Sequence, residues 1–189
     1  MALPSFAVVD LETSGFSTKR HRILQLGMIL VDADGTMSDE WSTLVKLRWP
    51  LARVGPTHVH GLRRRDLRGA PPIDAVLDEF AERLGDAIFT AHNARFDAGF
   101  LDAAVRRRRP TVENGLGRRL CTLRMSRRLD PERQLSHRLG DVCERYGVVL
   151  DRPHDALADA TATAAILPHL LRAHGVRGVE DLEPFFERP

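Results

Sequence analysis

The chain has 189 residues, 43% hydrophobic and 29% charged, with a net charge of +2 and an isoelectric point near 8.8. That is chain enough for one domain with a full core, and no run is long and apolar enough to span a bilayer. The mild positive balance falls short of a dedicated DNA-coating protein, and with no basic region leading into an apolar run at the N-terminus, no signal peptide and a cytoplasmic location are expected.

Three strand-like runs come first, Phe6–Leu11, Ile23–Asp32 and Trp41–Leu47, with the turn Asp32-Ala33-Asp34-Gly35 joining the second and third as a hairpin or meander. A loop rich in Pro, Gly and His follows, from Trp49 to about Gly61. Pro71-Pro72 opens an amphipathic helix in which Ile73, Val76, Leu77, Phe80, Ala81 and Leu84 share one face. Ala87–Ala91 reads as a short central strand, and Arg95–Arg109 as a helix stopped by Pro110. Three more helices are predicted, over Thr122–Leu129, Ser136–Tyr146 and Ala156–Leu171, with Pro168 kinking or fraying the end of the last. Strands first, then strand and helices in alternation, predict one α/β domain over 1–175, with 176–189 as a short tail packing on it through Phe185 and Phe186. Cys121 and Cys143 have no CxxC or CxxH spacing and read as buried free thiols in a reducing compartment.

The chemistry begins at Asp10 and Glu12. A strand alternates faces, so both carboxylates point one way and Leu11 the other. Two acids at the end of an apolar strand repel and resist desolvation; they are either a solvated strand end or a demand for a cation, and the pair alone does not choose. Asp97, in His92-Asn93-Ala94-Arg95-Phe96-Asp97, falls in the first turn of a helix that follows a strand, where the dipole alone would favour an acid. His154 and Asp159, in His154-Asp155-Ala156-Leu157-Ala158-Asp159, lie on the loop into the last helix and on its first turn, so both can border one cavity. Four acids and a histidine are the set needed for two-metal phosphodiester hydrolysis. Hard oxygen ligands suit Mg²⁺ or Mn²⁺, and an imidazole can take a proton at neutral pH.

These three motifs, Val9-Asp10-Leu11-Glu12-Thr13, His92 to Asp97 and His154 to Ala160, resemble those of the DEDDh 3′→5′ exonucleases, in the DnaQ-like branch that includes the proofreading subunit of bacterial DNA polymerase. The resemblance spans roughly residues 6–171 and implies an RNase H-like fold, a five-stranded mixed sheet flanked by helices. It implies two divalent ions, Mg²⁺ or Mn²⁺, with Asp10 bridging both, Glu12 and Asp159 completing the ligands of the first ion, Asp97 holding the second through water, and His154 as general base. It places Thr13, the backbone around Leu11, His60 and Phe96 against the 3′-terminal nucleotide, although Phe96 also suits a packing role, His60 an ordinary loop histidine, and Asn93 the turn into the helix. The implied substrate is nucleic acid with a free 3′ end, single-stranded or frayed DNA first, in repair or proofreading with a DNA polymerase as a candidate partner. The same chemistry on RNA and a non-catalytic polymerase-binding module are the alternatives. Arg63-Arg64-Arg65, where the family often carries polar or acidic residues, is expected to grip the strand upstream of the cut.

Overall fold

A computed structural model describes residues 3–48, 52–108 and 116–187. Strand β1, Phe6–Thr13, is buried along nearly its whole length because both its faces are covered. Ala7, Val9 and Leu11 join one core with Val76, Phe80, Phe100 and Leu101; Phe6 and Val8 join another with Val142, Ile166, Leu167 and Leu170. By the same alternation Asp10 and Glu12 fall on the second face.

β1 pairs antiparallel with β2, Ile23–Val31, which pairs antiparallel with β3, Met37–Leu44. On its other side β1 pairs parallel with β4, Ile88–Ala91, and β4 parallel with β5, Arg119–Cys121. A two-residue strand β6, Phe186–Glu187, closes that edge antiparallel to β5. The sheet order is β3-β2-β1-β4-β5-β6. The mixed sheet is as expected; its sixth strand is an addition, formed where the 3-10 helix Val179–Phe185 turns the tail back onto β5. Phe185 and Phe186 are buried there.

Short helix α1, Thr57–His60, lies inside the segment expected to be loop. Helices α2, Ile73–Leu84, and α3, Ala94–Arg108, fit the predicted spans; Arg109 and Pro110 lie outside the described residues. Helices α4, Thr122–Arg128, and α5, Leu139–Tyr146, follow, the latter starting three residues later than predicted. Helix α6, Ala156–Ala173, continues past Pro168 without fraying there: Pro168 costs a backbone bond, but Leu167, Leu170 and Leu171 are buried on either side of it and hold the last turns. Cys121 and Cys143 are buried and free. Asp102 of α3 and Arg119 of β5 form a buried ion pair at 2.8 Å, fixing the helix against the sheet.

One glycine sets the approach of α6. Gly27 lies opposite Asp10 in the β1–β2 register, and a Cβ there would stand 2.3 Å from the carbonyl oxygen of Ala156. Gly27→Ala therefore pushes the start of α6 off the sheet. We expect it to lower stability by about 1–3 kcal/mol and to cut turnover more than that loss explains, since Asp159 moves with the helix; denaturant unfolding and initial rates at a fully folded temperature separate the two.

Candidate active site

β1, β4 and the amino ends of α3 and α6 deliver the site. Glu12, Asp97 and Asp159 are 8%, 2% and 9% exposed. Asp10 is partly exposed and His154 exposed, on the loop before α6. Asp155 caps α6 by accepting from the Ala158 amide at 3.1 Å, which orients the first turn carrying Asp159. The turn from β4 into α3 puts Asn93 at φ 79°, a left-handed conformation Asn tolerates.

The carboxyls converge. Glu12, His154 and Asp159 each bring one ligand atom within 4.8 Å of the others. Asp10 feels the charges of Asp97, Asp159 and Glu12, and the Asp97 carboxyl draws on the backbone amide of Leu11. Burial first, then this mutual repulsion, pushes the Asp10 carboxyl well above the ordinary range and Glu12 up to about 8. Burial likewise raises Asp97 and Asp159. Among the described residues no Lys or Arg forms an ion pair with any of the four. Asp159 Oδ2 accepts from the His154 backbone amide at 3.1 Å, while its buried Oδ1 has no hydrogen-bond partner among the described residues. Four hard-oxygen donors on rigid elements, one buried oxygen left unsatisfied, and no protein cation to offset them fit a divalent metal ion.

The sign of the pH effect follows. In the metal-free protein these carboxyls keep protons that the unfolded chain releases, so stability falls as pH rises from the ordinary carboxyl range towards about 8. In EDTA the melting temperature should drop by several degrees, about 5 °C, between pH 5 and pH 8. Added Mn²⁺ should recover more of it at pH 8 than at pH 5, where bound protons compete.

The other expected residues sit close by with other commitments. The Leu11 side chain is buried in the α2–α3 core. The Thr13 hydroxyl donates to the Gly15 carbonyl at 3.0 Å. His60 is buried; its Nδ1 accepts from the Leu62 amide at 3.1 Å, its Nε2 has no hydrogen-bond partner among the described residues, and burial, then the His58 and His154 charges, lower its pKa. Phe96 lies 5.0 Å from Phe100 and edge-on to Phe16 at 6.4 Å. Phe16 went unnoticed in the sequence: it is 89% exposed beside the site, and a single aromatic after a Gly carries no periodic signal. Of the three arginines expected to grip the strand, Arg64 donates to the Ala52 carbonyl and Arg65 lies 3.6 Å from Asp66.

Sequence reading also missed a polar network behind the site. His92 Nε2 lies 2.9 Å from the His137 carbonyl oxygen and must donate to it, so Nδ1 accepts from Thr122 Oγ1 at 2.9 Å. Ser126 Oγ, His137 and Asp130 follow at 2.9 and 3.1 Å. This has the connectivity of a hydrolase triad, but Ser126 is 1% exposed and out of reach of a substrate. It fixes His92, and with it the turn into α3.

A family model described as Exonuclease (RNase_T) matches residues 7–167. The chain belongs to this exonuclease family. It is 32% identical over 183 residues to a PolC-type DNA polymerase III of Streptococcus thermophilus, covering 94% of this chain and 12% of that one. A Mycobacterium tuberculosis protein provisionally named a bifunctional exonuclease/endonuclease is 38% identical over 189 residues, 93% of this chain and 28% of that one. The chain thus spans well under a third of these relatives. Among solved structures, the nuclease domain of 3′hExo, a DEDDh family member bound to rAMP, superposes with a TM-score of 0.76 at 14% identity over 90% of this chain and 93% of that one. Exonuclease X in complex with 5′ overhanging duplex DNA gives 0.71 at 22% identity over 95% and 99%. At these identities the likeness is one of fold, and it is the RNase H-like fold of exonucleases. No helix among the described residues is long and apolar enough to cross a membrane.

Proposed function

We propose that the chain is a DEDDh-type 3′→5′ exonuclease that removes nucleoside 5′-monophosphates one at a time from DNA. The observation that carries this is the meeting of Asp10, Glu12, Asp97 and Asp159, from one strand and two helices, with His154 at their rim and no ion-pairing cation among the described residues to balance them. Asp10, Glu12, Asp97 and Asp159 would hold two divalent ions, Mg²⁺ or Mn²⁺, which when bound supply Lewis-acid charge to the scissile phosphate. His154 takes the proton of the attacking water on an imidazole nitrogen; the water oxygen bonds to phosphorus, and the 3′ oxygen leaves and is protonated. Its exposed position suits that role, since a base must reach both the water and solvent.

Phe96, with Phe16 beside it, offers ring faces for the terminal bases, and His60 backs the position of the 3′-terminal sugar. The domain is taken as 1–175 with 176–189 as its packed tail. Work beside a DNA polymerase is proposed on the PolC-type relatives alone.

The test gives the protein equal amounts of 5′-labelled single-stranded DNA, mismatched duplex and short RNA, with Mg²⁺ or Mn²⁺. A ladder shortening one nucleotide at a time on single-stranded DNA, silenced by EDTA, is the expected result. Faster decay of the RNA replaces the DNA reading by the ribonuclease one; internal cuts, or no cuts, sink both.

A further inference from the structure

A cleft of about 590 Å³ has Ser14, one residue past the end of β1, in its wall. It runs along α3 from Phe100 towards the carboxyl end of that helix. Arg20, Arg22, Lys46, Arg48, Arg53 and Arg107 line it, with no aspartate or glutamate among its described lining residues. Arg108, also in the wall, lies 3.5 Å from Asp74, but none of those six is in an ion pair among the described residues. Arg107 instead donates to the backbone carbonyls of Thr18 and Lys19, leaving its charge unbalanced. Burial, then the neighbouring Arg22 and Arg106 charges, hold that guanidinium below its ordinary pKa. Like charges crowded around a concave surface focus field and attract a polyanion.

We infer that this cleft binds the backbone phosphates of the scissile strand upstream of its 3′ end. The inference rests on the exonuclease reading above for the direction of the strand. α3 is the ruler: Asp97 stands in its first turn and Arg107 in its last, about 15 Å apart along the axis at about 1.5 Å per residue. At about 3.4 Å per charge along a stacked strand, that is about four phosphates. A dinucleotide cannot reach the far wall; a strand of eight or more nucleotides fills it. The described wall is dominated by cationic side chains, so the grip is on phosphate, and Arg suits that contact.

The test compares the wild-type chain with Lys46→Ala/Arg48→Ala/Arg53→Ala, three exposed side chains outside the carboxylate cluster. Binding of a labelled single strand of about 20 nucleotides is followed in EDTA across about 50 to 300 mM salt, and dinucleotide hydrolysis is followed with Mn²⁺. The triple variant should bind the long strand about tenfold more weakly at the lowest salt, and the slope of log affinity on log salt should shrink by about 2. Dinucleotide turnover should stay within about twofold of wild type, because its phosphates do not reach these residues. The charge-keeping variant Lys46→Arg/Arg48→Lys/Arg53→Lys should retain the wild-type slope, which removes misfolding as a cause. An unchanged slope in the alanine variant overturns the inference. So does a slope lost only on duplex DNA, which would seat the complementary strand there. If the wild type hydrolyses neither substrate, the exonuclease reading fails, while the EDTA binding still judges the cleft.

Discussion

Asp10→Asn reduces turnover at least about 10³-fold while raising the melting temperature of the metal-free protein at pH 8. A loss of that size corresponds to about 4 kcal/mol of transition-state stabilisation. The two effects share one cause. The Asp10 carboxyl is held among Asp97, Asp159 and Glu12, with burial and their charges all disfavouring its ionisation. An amide of the same shape removes that repulsion at Asp10. It also removes one of the four carboxylates proposed to hold the cations. Unfolding cannot produce this pairing, because a variant that lost activity by unfolding would melt lower. Initial rates and melting in EDTA on the same preparation check it; normal metal-dependent activity in Asp10→Asn would contradict the assignment.

His154→Ala should lose about 10²–10⁴-fold in turnover, with binding of Mn²⁺ and of oligonucleotide within about threefold of wild type. His154 reaches the cluster from a loop residue at φ 67°, in the left-handed region that a branched or bulky residue enters at a cost. That strained backbone still donates its amide to Asp159 when the imidazole is gone. The variant thus removes a proton acceptor and leaves the carboxylates in place. Its remaining activity should rise with pH, as hydroxide takes over the abstraction, where the wild type flattens. A fall in metal affinity matching the fall in rate would make His154 a ligand instead, which its 4.8 Å grouping with Glu12 and Asp159 allows geometrically. His154→Gly relieves the backbone and should be no less stable than His154→Ala.

The parts of this fold that could be read from the chain are those with strong periodicity. β1, β2 and α2 are continuous apolar or amphipathic runs, and the structure places them within a residue or two of expectation. β3 was expected at Trp41–Leu47 and lies at Met37–Leu44, because as an edge strand it exposes Ser38, Asp39 and Glu40 and carries little hydrophobic signal. β5 is three residues led by an arginine, and its burial depends on Asp102, seventeen positions away; nothing local announces it. β6 follows Pro184 and exists only because β5 offers an edge. The candidate site was more legible than the fold around it. Asp10 and Glu12 share a face by strand parity alone, and Asp97 and Asp159 each stand in a first turn. What parity could not supply was the closeness of α6 to the sheet, which depends on Gly27, or Phe16 at the rim, or the hydrogen bonds from His92 to Asp130 that steady the turn into α3.

Four carboxylates held together against their own charge are proposed to bind divalent cations. Calorimetric titration of the metal-free protein with Mn²⁺ at pH 7, in two buffers of different ionisation heat, tests this most directly. With Glu12 pushed up to about 8 and Asp10 well above the ordinary range, binding must displace protons. Binding should be saturable, release about one proton or more per chain, and weaken in Asp10→Asn. Binding with no proton release, or equal affinity in wild type and Asp10→Asn, would contradict it.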